Sequence, residues 1–234
     1  YWLRVLDGVR AACRERGWTW EEWSDDLPRE ALRTASGRCS GILVVGSAPR
    51  DHLLLLNGAG VPLVLADHEE PLLPADVVLN ANMAAAAVAT RRLLAQGASS
   101  IVFVGRDGFS VSFRERWLGC RLAAEEWKKT DPASAIRLHK WTMPPNAAAW
   151  PAHFGRKLAA FVADGEDAGR ERLPDAFLFA NDRLALDLLP EFGTNGIEVP
   201  GRCRVIGIDN INASASASPP LTTVDLAKEA LGRG

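Results

Sequence analysis

The sequence has no long apolar run. The longest candidates, such as residues 53–56, have the length of one secondary-structure element, whereas a membrane-spanning helix needs roughly 18–20 consecutive apolar residues. The chain also opens without the basic stretch, apolar run and small-residue cleavage site of a signal peptide. These absences exclude a helical membrane protein and lead us to expect a cytoplasmic one with no membrane partner.

Cysteine is scarce and scattered. The sequence has four cysteines and four histidines, with no CxxC pair and no cluster of the two residue types. A zinc site needs clustered ligands, so we expect no metal. The dispersed cysteines indicate free thiols on apolar faces of a cytosolic protein rather than disulfides. The cysteines are Cys13, Cys39, Cys120 and Cys203.

A basic surplus is missing as well. Lysine and arginine number 27 against 29 aspartates and glutamates, which gives a net charge of −2. A DNA-binding domain normally carries a basic face. If the protein regulates transcription, its DNA-contacting head therefore lies outside this chain.

Motifs for nucleotide binding and catalysis are absent. The sequence contains neither a dinucleotide-binding G-x-G-x-x-G after a strand nor a P-loop, and it contains no G-x-S-x-G nucleophile elbow. Histidines do not follow strands in a place where they could activate a serine. We therefore expect no enzyme and no cofactor.

What the sequence does contain is a regular alternation of helical and strand-like patterns. Helices are predicted over residues 2–16, 28–35, 50–57, 83–96, 113–129, 151–163 and 182–192. Strands are predicted over residues 18–23, 41–45, 62–66, 77–79, 101–104, 136–141, 176–179, 204–208 and 221–224. The low-complexity run at 213–218 is interpreted as a surface loop. This order predicts an α/β fold with doubly wound parallel sheets.

Ligands of such sheets bind beyond the carboxyl ends of the strands. That rule directs attention to Asp67, the segment after Gly105, Trp141, residues 181–182 and residues 209–210. The predicted site contains carboxylates, amides, an arginine and an aromatic ring, so it can form hydrogen bonds with a ligand and stack an aromatic side chain on it. Such a site suits a polyhydroxylated or heterocyclic molecule, which it need not transform.

Five motifs at these positions occur together and in order. They are GVPLVLAD over 60–67, SVSFRERWLG over 110–119, FLFAND over 177–182, VIGIDN over 205–210 and PPLTTV over 219–224. Together they resemble the effector-binding domain of LacI/GalR-type transcriptional regulators, and the resemblance covers essentially the whole chain. It implies two doubly wound parallel-sheet lobes joined by crossover strands, as in type I periplasmic binding proteins.

The resemblance also implies a division of the chain. The N-terminal lobe would comprise residues 1–79 plus 226–234, without its first strand, and the C-terminal lobe residues 80–225. The DNA-binding head would precede residue 1. A homodimer would then bind operator DNA through heads that this chain does not contain, and a small-molecule effector would bind in the cleft between the lobes.

Carried over from the family, Arg116 donates to ligand hydroxyls or a carboxylate, which its planar fork suits. Trp141, Tyr1 and Trp2 match positions that stack on the ligand, although a core tryptophan at 141 is an alternative. The polar residues matched to the site are Asp67, Ser110, Ser112, Asn181, Asp182 and Asp209.

Local alternatives remain open for several of these residues. Asn181 and Asp182 open a helix and can serve as its N-cap, and residues 209–210 can form a turn. Where family members often have Asp-Asn, this chain has Ala81-Asn82, and Asn82 fits a helix N-cap.

The sequence therefore leaves three functional hypotheses. The first is a repressor or activator that senses a sugar, or a purine or nucleoside. The second is the solute-binding protein of a sugar transporter, which shares the clamp. The third, an α/β enzyme, has no supporting constellation.

Overall fold

A computed structural model describes residues 1–24, 26–106, 108–162 and 172–234. The helices are α1 (Trp2–Arg16), α2 (Arg29–Ser36), α3 (Arg50–Asn57), α4 (Asn82–Ala95), α5 (Val111–Thr130), α6 (Trp150–Val162), α7 (Asp182–Thr194), α8 (Asn212–Ser216) and α9 (Lys228–Arg233). The strands are β1 (Ile42–Val45), β2 (Leu63–Ala66), β3 (Asp76–Val78), β4 (Ser100–Gly105), β5 (Arg137–Thr142), β6 (Ala176–Phe179), β7 (Arg204–Asp209) and β8 (Thr222–Asp225). The predicted α/β class is confirmed.

The chain divides into two compact units. The first contains residues Tyr1–Asn80 and Ala227–Gly234, and the second contains Ala81–Leu226. In each unit every strand pair is parallel. Parallel strands need a crossover that returns the chain to the same end of the sheet, and helices supply most of these crossovers here, although a loop over residues 67–75 joins β2 to β3.

The first unit has a three-stranded sheet in the order β1-β2-β3. Its core contains Leu53 from α3 and Leu65 from β2, both fully buried. In the same unit, helix α1 packs against helix α9. Gly8 and Gly232 permit this close crossing, since a Cβ at either position would collide with the backbone of the other helix, at Glu229 and Val5 respectively.

The second unit has a five-stranded sheet in the order β5-β4-β6-β7-β8. Strands β4 and β6 are buried along their whole length, as expected for the continuous apolar runs of a sheet covered on both faces. The aromatic rings of Phe154, Phe177 and Phe192 contact one another at centroid distances of 5.1–5.9 Å. These contacts attach α6 and α7 to the sheet.

Two local predictions are wrong. Residues 18–23 are not a strand, and Trp18 is 60% exposed, with Arg16 5.5 Å from its ring centroid. Alternation of large and polar residues yields a strand only where a neighbouring backbone offers hydrogen bonds, and no described strand pairs with this segment. The run at 213–218 is not wholly a loop, because most of it lies in α8, with Ser214 buried.

Helices α4 and α5 pack extensively against each other in the second unit. Gly119 of α5 lies so close to the carbonyl of Met83 in α4 that a Cβ would collide with it. Gly193 in α7 also lies in a helix, but a Cβ there meets no atom within 4 Å.

This contrast gives a stability prediction. Gly119→Ala should lower the free energy of unfolding by about 1–3 kcal/mol, because the added methyl forces α4 and α5 apart. Gly193→Ala is the matched control and should be neutral or raise it by about 0.5–1 kcal/mol. Urea denaturation of both variants is the measurement. Equal midpoints for the two would contradict the close approach.

A carboxylate joins the starts of two strands of the second unit. Asp175, just before β6, accepts hydrogen bonds from the backbone N of Ser99 (2.7 Å) and Ser100 (2.9 Å) and from the Ser99 hydroxyl (3.0 Å). Burial alone would raise the pKa of the Asp175 carboxyl, but these hydrogen bonds outweigh it and the pKa lies below its usual value.

Because this pKa is lower in the folded state, Asp175 stabilises the fold above the unfolded pKa and loses that contribution as pH falls through the folded pKa. Asp175→Asn should therefore be less stable than wild type by about 1–2 kcal/mol at pH 7. The difference should shrink below about pH 4. Denaturation curves between pH 3 and 7 measure it, and a difference that stays constant would count against this role.

Candidate functional site

The first unit brings together three polar side chains at the carboxyl edge of its sheet. Asp67 follows β2, Asn80 follows β3, and Tyr1 precedes α1. The Tyr1 hydroxyl donates to Asp67 Oδ2 (3.0 Å), while Asn80 Nδ2 donates to Asp67 Oδ1 (2.7 Å) and to the Tyr1 hydroxyl (2.6 Å). The two predicted residues Tyr1 and Asp67 are thus in direct contact.

Asn80 is a member of this cluster that sequence reasoning missed. It follows β3 at the same sheet edge where Asp67 follows β2, so the strand-end rule could have found it. Trp2, also predicted, packs its ring over Gly46 after β1 and lies edge-on to Tyr1 at 4.6 Å. The edge therefore offers an aromatic surface beside a carboxylate.

In the second unit the corresponding edge is built around a buried arginine. Arg116 comes from the second turn of α5 and is 3% exposed, so its side chain is buried and not solvated on the helix face. Its Nη2 lies 3.1 Å from Asp209 Oδ1, and its Nη1 donates to the carbonyl of Ala180 (2.6 Å). Arg116 and Asp209, predicted separately, form an ion pair.

Asp209 holds this position in an unusual backbone conformation. It is the last residue of β7, with φ of 128°, and Asn210 follows with φ of 51°. Non-glycine residues rarely adopt positive φ, and where they do the surrounding contacts hold them there. Here the amide of Asn210 donates to the Thr223 hydroxyl on β8 (3.1 Å).

Asp182, predicted to contact a ligand or to cap α7, is instead buried among protein groups. It is fully buried as the first residue of α7, and Asn181, not Asp182, is the N-cap, accepting from the Leu184 amide (2.9 Å). The Asp182 carboxylate accepts from the hydroxyls of Ser214 (2.6 Å) and Thr223 (2.5 Å) and from the Ile211 amide (3.1 Å).

These contacts give Asp182 a supporting role. They hold the segment after β7, and through Thr223 they also fix the amide next to Asp209. The carboxylate has no solvent-accessible surface with which to meet a ligand.

Trp141 is the penultimate residue of β5, near the strand end as predicted, but its partly exposed ring packs against the aromatic core. It contacts Phe154, Phe161 and Phe177 at centroid distances of 5.4–5.9 Å, and Lys157 Nζ lies 5.0 Å from its centroid. These contacts favour the alternative of a core tryptophan, although part of the ring is exposed. Because strand residues alternate in direction, the strand-end rule does not say which way the last side chain turns.

The start of α5 holds the two predicted serines. The Ser110 side chain caps the helix by accepting from the Phe113 amide (3.3 Å), and its hydroxyl lies 2.7 Å from that of Ser112. Both serines are partly exposed, close in sequence to the arginine that the same helix supplies.

Sequence reasoning missed the role of Asn82 and Glu115. Asn82 was expected to cap α4, but the N-cap is Ala81, and Asn82 is the first helical residue. Its side chain accepts from Arg116 Nε (3.0 Å) and donates to Glu115 (2.9 Å). No local pattern indicates these partners, since they lie more than 30 positions away.

No group of three or more possible metal-ligating residues occurs in the described parts of the chain. All four cysteines are free thiols, and burial raises the pKa of Cys120 and of Cys203 to about 12. None of the described helices is long and apolar enough to cross a membrane.

Comparison with known proteins supplies the family. A family model described as a periplasmic binding protein-like domain matches residues 90–234, more than half of the chain. The HTH-type transcriptional repressor PurR of Vibrio parahaemolyticus is 30% identical over 240 residues, which cover all of this chain and 68% of the repressor. Its counterpart in Vibrio campbellii is 28% identical with the same coverage.

Solved structures agree at the level of the fold. A transcription regulator from Lactobacillus plantarum superposes with a TM-score of 0.75 at 22% identity, covering 99% of this chain and 82% of its own. A LacI family regulator from Enterococcus faecium with bound ribose gives 0.70 at 20% identity, covering 99% and 81%.

Parallel sheets with polar side chains at their carboxyl ends are the arrangement in which α/β ligand-binding domains hold their ligands. The chain belongs to the periplasmic binding protein-like domain family, in the form that LacI-type transcriptional regulators use to bind effectors.

Mutation can test the hydrogen-bond network around the buried carboxylate of Asp182. Asp182→Ala leaves two hydroxyls and one amide without their acceptor and should lower the free energy of unfolding by about 2–4 kcal/mol. Asp187→Ala, on the same helix but in an exposed pair with Arg183, is the control and should cost less than about 0.5 kcal/mol. Thermal unfolding of the two variants should separate them clearly, and similar losses would refute the network.

Proposed function

We propose that this chain is the sensing domain of a regulator whose effector is a sugar or a similar polyhydroxylated molecule. The observation that carries the proposal is the Arg116–Asp209 pair, a donor and an acceptor held together at the carboxyl edge of the second unit's sheet (3.1 Å). Neighbouring sugar hydroxyls each donate and accept, so a paired donor and acceptor match them.

The first unit supports the same chemistry. Its edge offers the carboxylate of Asp67 with the amide of Asn80 and the phenol of Tyr1. Of the residues predicted for ligand contact, we keep Tyr1, Trp2, Asp67, Ser110, Ser112, Arg116, Asn181 and Asp209. We assign Asp182 and Trp141 to support, because protein groups occupy the Asp182 carboxylate and several rings pack against Trp141. The ribose bound to the Enterococcus faecium regulator is consistent with a sugar.

A purine or nucleoside is the second candidate effector. It is favoured by the partly exposed rings of Tyr1 and Trp2, which lie at the same edge as Asp67. Aromatic side chains stack on heterocycles as well as on the apolar faces of sugars. The same carboxylates accept hydrogen bonds from exocyclic amines.

In the regulator, effector binding would bias an equilibrium between conformations that differ in affinity for operator DNA. Such coupling is reciprocal and typically amounts to about 1–3 kcal/mol. We expect a cytoplasmic homodimer that contacts DNA through segments outside this chain and catalyses no reaction. A solute-binding role in transport is less favoured, since the relatives named above are transcriptional regulators.

A thermal-shift titration tests the proposal with D-ribose, D-glucuronate and adenosine as probes. At 100 times its Kd an effector adds about 2.7 kcal/mol to the free energy of unfolding, or about 5–10 °C in Tm for a chain of this size. We expect at least one of these probes to give such a shift in the wild type.

Asp209→Asn and Asp67→Asn should each lose most of that shift relative to their own Tm, and Asp187→Asn should retain it. Circular dichroism of each variant checks that it is folded. The proposal fails if none of the three probes shifts the wild type, and the site is misassigned if the folded Asp209→Asn variant responds fully.

A further inference from the structure

We propose that Asn82 is a positioning residue that orients the guanidinium of Arg116 for its effector. The proposal deepens the function proposed above and rests on it. It comes from one arrangement in the second unit: Asn82 is 3% exposed, and both ends of its amide are occupied, by Arg116 and by Glu115.

The hydrogen-bonding chemistry of Arg116, Asn82 and Glu115 determines which end of the Asn82 amide faces which neighbour. A guanidinium can only donate hydrogen bonds and an ionised carboxylate can only accept them, whereas an amide does both. The oxygen of the Asn82 amide must therefore face Arg116 and its nitrogen must face Glu115. A flipped amide would set donor against donor and acceptor against acceptor, so Glu115 locks the orientation of Asn82.

Asn82 also determines which donors of Arg116 remain for a ligand. Each of the three guanidinium nitrogens faces one protein oxygen: Nε faces Asn82 (3.0 Å), Nη1 faces Ala180 (2.6 Å) and Nη2 faces Asp209 (3.1 Å). A guanidinium has five N–H groups. The hydrogen bonds at Nε and Nη1 and the ion pair at Nη2 leave at least one N–H on each terminal nitrogen for a further acceptor.

The hydrogen bond from Nε to Asn82 restricts the orientation of the guanidinium in a way that the contacts of the two terminal nitrogens do not. Hydrogen bonds at Nε and Nη1 together with the ion pair at Nη2 restrict both rotation of the planar group in its plane and tilting out of it. Without Asn82 only the terminal nitrogens are held, and these are the atoms whose remaining hydrogens would meet the effector. Asn82 therefore acts on binding through Arg116 and needs no contact of its own with the effector.

The first experiment reads the orientation directly and needs no ligand. The Nε–H signal of Arg116 in a ¹H–¹⁵N spectrum, assigned by its loss in Arg116→Lys, should exchange slowly with solvent in the wild type. In Asn82→Ala it should exchange at least about tenfold faster, because an N–H without its acceptor opens to water. Asn212→Ala changes an exposed asparagine that is also the first residue of a helix, and it should leave the signal unchanged.

A rescue separates positioning from simple loss of packing. Asn82→Asp alone sets two carboxylates against each other at positions 82 and 115. The double variant Asn82→Asp with Glu115→Gln restores an acceptor toward Arg116 and a donor toward position 82. It should recover slow exchange. An Arg116 signal that is equally protected in wild type and Asn82→Ala would overturn the proposal.

The second experiment is calorimetric titration with D-ribose. We expect Asn82→Ala to weaken the Kd about tenfold, and the double variant to recover most of the loss. If D-ribose fails to bind the wild type, the proposed function is wrong for that sugar, and the exchange experiment still decides the orientation of Arg116. If Arg116 is released in Asn82→Ala while the Kd for D-ribose is unchanged, the positioning role is refuted and the sensing function stands.

Discussion

The second unit depends on a positive charge that is held out of water. A buried guanidinium is tolerated only when its donors meet acceptors, and the acceptors of Arg116 come from three separate segments: Asp209 at the end of β7, Ala180 after β6 and Asn82 at the start of α4. Satisfying one side chain thus fixes the carboxyl ends of two strands relative to two helices. The remaining N–H groups of Arg116 therefore point in a direction that the fold determines.

The same unit buries a negative charge in a different way. Asp182 is surrounded by neutral hydroxyl and amide donors at the amino end of α7, where the helix dipole also favours an anion. These contacts hold Thr223, whose hydroxyl in turn accepts from the amide of Asn210. A carboxylate that has no access to solvent therefore positions the backbone beside Asp209, the carboxylate that we propose meets the effector.

The first unit repeats part of this design. Asp67 directly follows β2 and Asp209 ends β7, and both have positive φ (57° and 128°), which non-glycine residues rarely adopt unless surrounding contacts hold them there. Its oxygens are held by Tyr1 and Asn80. In each unit, an aspartate at a strand end is oriented by a side chain from a distant segment.

The sequence by itself determined the order and type of nearly all elements, because continuous apolar runs and helical periodicity are local properties. It also placed Asp67 and Asp209 at strand ends and Arg116 near the start of a helix. Only the tertiary structure decided which side chains turn inward: Trp141 joins a ring cluster and Asp182 a buried network. It also decided that residues 18–23 form no strand. The reason is physical, since a strand needs a partner backbone and a buried polar group needs a partner atom, and both come from residues far away along the chain.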